Sequence, residues 1–195
     1  MILVFNMKII SITENKKQYI DLSLLADEQE SMIDRYLERG EMFTFEDNGV
    51  KAVCVVTDEG NGVCELKNIA VTQNAQRQGY GRNLIQYLIT RYSQRFHTMI
   101  VGTGDVPSTV GFYQSCGFFY SHRIENFFTD NYDRHIIENG VQLKDMVYLK
   151  RDISPTNILK PYYGRIPACG VFCGGCPTYT RDKKPCLGAE INKTR

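Results

Sequence analysis

The stretch Gln76-Arg77-Gln78-Gly79-Tyr80-Gly81-Arg82 lies between a β-branched run and a strongly helical one. A glycine turn that feeds a helix leaves several backbone N–H groups unpaired at the positive end of the helix dipole, and phosphate is the commonest occupant of such a site. A second constellation lies near the C-terminus. Cys169-x3-Cys173-x2-Cys176-x9-Cys186, with glycines and prolines between, has the spacing of a thiolate metal site. His97, His122 and His135 are scattered and form no ligand spacing, and no histidine accompanies Cys116 in sequence as a nucleophile would require.

These residues need elements to position them. Residues 7–12 alternate weakly and predict a strand; Met7 is also an alternative start to Met1. Residues 16–26 read as helical. Asp27-x-x-Glu30 then reads as a capping box for a helix whose apolar stripe is Met32, Ile33, Tyr36 and Leu37, ending at Gly40. An antiparallel meander follows, with strands over 41–46, 50–57 and 63–71 joined by turns at Asn48-Gly49 and over 58–62. The helix over 83–96 buries Leu84, Ile85, Leu88, Ile89, Tyr92 and Phe96. A short strand over 98–102, a loop over 103–105 and a short helix from Pro107 or Ser108 to Cys116-Gly117 come next. Strands over 118–124 and 141–151, separated by a polar, aromatic loop over 125–140, close the order βααβββαβαββ. That order predicts an α/β (α+β) fold, a mixed, mostly antiparallel sheet with helices on both faces. Cys54 and Cys64 fall in strands and read as small core residues.

Length and composition bound the function. The 195 residues, 43% hydrophobic, suffice for one real core plus an appendage. The net charge of +1 hides an asymmetry, because the stretch from Ile153 holds seven Lys/Arg against two Asp/Glu and the body is acidic. An acidic body argues against a nucleic-acid partner and tilts towards a cationic amine. No run approaches the ~18 apolar residues of a membrane span, and the first five residues lack a signal peptide's basic flank. Seven cysteines without a secretion signal point to reduced thiols and the cytoplasm. Five of the six prolines lie from Pro155 onward, which divides the chain into a domain over 1–152, a linker over 153–166 and a Cys-rich extension over 167–195.

Three segments together resemble one family. Glu65-Leu66-Lys67-Asn68-Ile69-Ala70-Val71, the glycine turn, and Gly111-Phe112-Tyr113-Gln114-Ser115-Cys116-Gly117-Phe118 look like the signature segments of the GCN5-related N-acetyltransferases (GNAT), over about residues 7–151. The resemblance implies acetyl-CoA as cosubstrate, with its pyrophosphate on the amides from Arg77 to Arg82 and a side-chain charge from Arg77 or Arg82. It implies that the strand ending Ile69-Ala70-Val71 pairs with the pantetheine arm, that a donor there holds the thioester oxygen, and that Tyr113 protonates the departing thiolate. Glu65 stands where several relatives carry the general base, against the alternative of a solvated strand carboxylate; Glu125 and Asp133 are weaker candidates. Many relatives start the short helix near Tyr113 with an Asn that touches the pantetheine arm. Here Asp105 or Ser108 stands in its place. The implied reaction is direct transfer to a primary amine in a ternary complex, without a covalent acyl-Cys116.

The acceptor is a small-molecule or protein amine, shaped by the aromatic stretch over 127–132, and a homodimer is compatible with the sequence. The tail resembles a small cysteine-rich domain that usually has one more cysteine soon after the one matching Cys186, so it reads as truncated. Zinc on four thiolates, an iron–sulfur cluster and a metal-free tail all remain open. The rival to catalysis is an acyl-CoA sensor or interaction module with a metal-binding tail.

Overall fold

The computed structural model describes residues 7–155. Cys169, Cys173, Cys176 and Cys186, and with them the zinc expectation, lie outside these residues.

The sheet has seven strands: β1 (Lys8–Ile12), β2 (Glu41–Glu46), β3 (Val50–Gly60), β4 (Val63–Val71), β5 (Thr98–Gly104), β6 (Phe119–Ile124) and β9 (Met146–Asp152). Their spatial order is β1-β2-β3-β4-β5-β9-β6, and every neighbouring pair is antiparallel except β4–β5. The small hairpin β7 (Ile137–Glu138) and β8 (Val141–Gln142) stands apart. Asn48-Gly49 in the three-residue β2–β3 turn and Asn61-Gly62 in the two-residue β3–β4 turn all take positive φ, which suits tight hairpins to the twist of the strands.

Helices cover both faces, and the alternation within β2 shows why. Met42 points to α2 (Glu30–Leu37), joining Ile33, Tyr36 and Leu37 in one buried cluster. Phe43, its neighbour, points the other way, edge-on to Tyr87 and Tyr92 of α3 (Tyr80–Tyr92). Both side chains are fully buried, so β2 is a central strand with two apolar faces. Leu84, Ile85, Leu88, Ile89 and Tyr92 are buried as their spacing predicts, but α3 runs over Tyr80–Tyr92 rather than 83–96, and Phe96 is buried from just beyond its end. A helix anchored on this many core residues gives the turn before it a fixed seat.

Four other expectations need correction. The 16–26 segment is a 3-10 turn (Lys16–Tyr19) followed by only one turn of α1 (Ile20–Ser23). The capping box does not form: Gln29 is the N-cap of α2, with no side-chain cap bond, and Asp27 turns away into the cleft described below. The 125–140 segment is no plain loop, because Phe127–Asn131 forms α5 and packs Phe128 with Val106, Ile136 and Leu143. The strand expected over 141–151 is two strands, interrupted where Leu143 enters that cluster. Among the described residues no helix is long and apolar enough to cross a membrane.

Candidate active site

β4 and β5 run parallel but pair at only three positions, Val63↔Thr98, Cys64↔Met99 and Glu65↔Ile100. Both strands continue, to Val71 and Gly104, without pairing further. The sheet therefore splits open just beyond Glu65, and residues 66–71 of β4, paired with β3 on one side, present on the other a backbone edge with no strand beside it among the described residues. The same stretch carries an irregularity: Val55 faces Asn68 and Val56 faces Leu66, so Lys67 is an extra residue, a bulge beside the split.

Two cavities meet there. One, about 330 Å3, is lined by Leu66, Asn68 and Ile69 of β4, by Gly102 and Gly104 of β5, and by Thr109 and Tyr113 of α4 (Pro107–Ser115). The other, about 190 Å3, opens on the α2 side between Arg35, Tyr36, Glu65, Phe127 and Tyr148. They share Asp27, Lys67, Gly102, Tyr132 and Met146, so they are two lobes of one cleft. Gly102 keeps it open by close approach, since a Cβ there would sit 2.6 Å from the Met146 sulfur and 3.1 Å from the Tyr148 ring.

Glu65 lines the α2-side lobe and is only 6% exposed, which overturns the solvated-carboxylate alternative. Its Oε2 accepts from Lys67 Nζ at 2.6 Å and its Oε1 from the Tyr148 hydroxyl at 3.2 Å. A carboxylate has about four lone-pair sites, so two acceptor directions remain. Lys67 also reaches Glu59 at 3.7 Å, and Arg39 holds Glu59 at 2.8 Å, a chain of alternating charge. Burial, with Glu65 adding to it, pushes the Tyr148 phenol well above its ordinary value, so it stays a donor.

Tyr113 lines the larger lobe at 7% exposure, set edge-on between Phe112 and Phe118. Burial pushes its phenol far up, with Cys116 and Glu138 adding to the effect. Thr109 donates to Glu138 on the same wall.

The glycine turn takes the conformation its sequence requires. Gly79 is the N-cap of α3 at φ 92°, with no side-chain cap bond, and Arg77 is also left-handed at φ 60°. The first-turn amides of α3 therefore face outward, and nothing lies within 4 Å of a Cβ placed on Gly79. Gly81 packs against Phe112 and Val71, which ties the turn to α4 and to the end of β4. Tyr80 pins it further, donating to Asp47 at 2.7 Å. Gln76 and Gln78 bond back to the carbonyls of Val71 and Asn74. Of the two arginines, Arg82 is occupied by Ser115, at 2.8 Å to its carbonyl and 2.9 Å to its hydroxyl, whereas Arg77 is exposed.

Not every candidate is brought together. Glu125 and Asp133 are exposed and line neither lobe. Asp105 is held by Arg123 at 2.5 Å, and the Ser108 hydroxyl accepts from Asn139 at 3.1 Å; it is the next residue, Thr109, that lines the cavity. Cys116 is buried and burial raises its thiol, the opposite of an activated nucleophile. Cys54 and Cys64 are core residues, with the Cys64 thiol pushed up by burial to about 12. Among the described residues no group of His, Cys, Asp and Glu could hold a metal ion.

Other residues enter unannounced. Asp27 lines both lobes, accepting from the hydroxyls of Tyr132 at 3.0 Å and Tyr36 at 3.4 Å, and its carboxyl is raised by burial. Lys67 was readable, since residues two apart on a strand share a face with Glu65. Tyr148 and Asp27 reach the cleft only through cross-sheet register and helix packing, which local sequence does not carry.

A split sheet with a phosphate-type turn at one end and a carboxylate and a phenol at the split is the architecture of acyl-CoA-dependent transfer. The family described as Acetyltransferase (GNAT) domain matches residues 38–119. An uncharacterised N-acetyltransferase of Bacillus subtilis (strain 168), YvbK, is 35% identical over 143 residues, 72% of this chain and 92% of that protein. Two solved structures have the same fold. A GNAT family acetyltransferase from Elizabethkingia anophelis with acetyl-CoA bound superposes with TM-score 0.72 at 33% identity, over 75% of this chain and 98% of that one. A Bacillus subtilis acetyltransferase in complex with CoA gives TM-score 0.70 at 34% identity, over 75% and 99%. The chain belongs to the GNAT acetyltransferases.

Proposed function

We propose that the chain moves acetyl from acetyl-CoA to a primary amine by direct transfer in a ternary complex, within a catalytic domain over 1–152. The observation that carries this is the split between β4 and β5, which leaves an unpaired strand edge leading from the buried carboxylate at Glu65 to the left-handed turn at Gly79. Relatives of similar sequence hold acetyl-CoA or CoA. The open edge at Ile69, Ala70 and Val71 suits an extended amide-bearing arm that pairs like an added strand. The residues from Gln76 to Arg82, through the amides around Gly79 and Gly81, suit its pyrophosphate, with Arg77 as the side-chain charge. The first turn of α4, at Ser108 and Thr109, flanks the arm.

Glu65 takes the amine's proton, directly or through one water, because an alkylamine with a pKa of about 10.4 is mostly protonated at neutral pH. The amine nitrogen then bonds to the acetyl carbon while a backbone donor near the Lys67 bulge steadies the thioester oxygen; the C–S bond breaks as Tyr113 gives its proton to the departing sulfur, and the nitrogen sheds its second proton to water as the amide forms, which returns a proton to Tyr113. Buried, unactivated Cys116 supports direct transfer over an acyl-enzyme.

Thiol release from acetyl-CoA over an amine panel tests this, with intersecting double-reciprocal lines as the signature of a ternary complex. Tight CoA binding with no release for any amine would instead establish the sensor reading. Gly79→Asp should weaken CoA binding at least about tenfold by setting negative charge at a helix N-terminus against the pyrophosphate. Titration calorimetry measures it, and unchanged affinity would move the pyrophosphate elsewhere.

A further inference from the structure

The α2-side lobe carries one cation that the protein itself does not neutralise. Lys67 is held by Glu65 and Glu59, and Arg39 by Glu59. Arg35 lines the same lobe and, among the described residues, makes no hydrogen bond or ion pair. Asp27, a carboxylate within reach of its field, spends its oxygens on Tyr132, Tyr36 and the Gln29 amide, and burial favours its neutral form. Around this guanidinium the walls are Met32, Phe127, Tyr132 and Met146. A lobe of about 190 Å3 whose aromatic and methionine walls carry paired charges at Glu65, Lys67 and Arg39 and one uncommitted +1 charge at Arg35 is chemically asymmetric.

We propose that the acceptor is an aminocarboxylate, an amino acid or close derivative whose carboxylate is bound by Arg35 while its amine reaches Glu65. This rests on the acetyl-transfer reading above and names its substrate class. A carboxylate matches a lone guanidinium in charge and in planar, two-pronged geometry, whereas a phosphate monoester brings about −1.5 to −2 and would need a second free cation. A polyamine would set an ammonium against Arg35. The acidic balance of the body points towards such cations, but exposed charges more than a Debye length away, roughly 8–10 Å, are largely screened, so the local charge governs selection.

The test is steady-state thiol release with matched pairs, each an amino acid against the amine that lacks its carboxylate, such as phenylalanine against phenethylamine and lysine against cadaverine. At least one amino acid should exceed its twin about tenfold or more in kcat/KM. Arg35→Gln should erase that preference mainly through KM, Arg35→Lys should keep part of it, and Arg35→Glu should reverse it. Arg35 is exposed on α2, so circular dichroism and CoA affinity serve as folding controls. Turnover in which every decarboxylated twin equals or betters its amino acid, or a preference that Arg35→Gln leaves intact, overturns this assignment alone. Absence of thiol release with any amine overturns the acetyl-transfer reading and this assignment with it.

Discussion

Tyr113→Phe is expected to lower kcat by roughly 10²–10⁴-fold, the usual share of a positioned proton donor, with little change in KM for acetyl-CoA. The substitution removes one oxygen and keeps the ring wedged between Phe112 and Phe118, so packing and the shape of the larger lobe should survive. Burial raises the Tyr113 phenol, with Cys116 and Glu138 adding to it, because each disfavours the phenolate. A raised pKa keeps the proton on oxygen throughout the range in which enzymes work, as an acid must. The loss of activity from its ionisation should therefore fall above the ordinary phenol value of about 10. Stability follows the same sign: the contribution of neutral Tyr113 is fully present below that value and is lost as pH rises towards the folded one. Stopped-flow and pH-rate measurements decide it. An unchanged kcat would reduce Tyr113 to a packing residue.

The split sheet shows which parts of such a site a sequence carries and which it does not. The glycine turn was legible because its requirements are local: Gly79 takes a left-handed φ, and the helix that follows declares itself by apolar spacing. Strand β2 was legible to the residue for the same reason. Asp27 was misread because Asp-x-x-Glu before an apolar stripe satisfies the capping pattern whether or not the cap forms. What prevents it here is tertiary: Tyr36, nine residues on, and Tyr132, over a hundred residues on, both donate to its carboxylate. The loop expected over 125–140 hid α5 for a related reason, since five residues are too few to show a helical period and Phe128 is held by partners from three other segments. Tyr148 stood in a correctly expected strand, but its meeting with Glu65 depends on β9 pairing to β5 and on Gly102 having no side chain to block it.

Glu65→Gln should cost roughly 10²–10⁴-fold in kcat/KM at neutral pH if Glu65 is the base. The pH dependence separates this from a merely structural loss. Without a base, the variant must wait for amines that are already deprotonated in solution, so its deficit should shrink as pH approaches the amine's own pKa of about 10.4. The substitution also sets an amide N–H against the Lys67 ammonium, which keeps Glu59 at 3.7 Å as a second partner, so the stability cost should stay near 1–3 kcal/mol. Lys67→Met completes the argument. It removes the ion pair from the other side and leaves a carboxylate still bonded to Tyr148, able to accept a proton. If the pair matters only for holding the cleft in shape, Lys67→Met and Glu65→Gln should lose activity equally and with the same pH profile. If Glu65 moves the proton, only Glu65→Gln should show a deficit that fades with rising pH, and the two variants part company in the measurement.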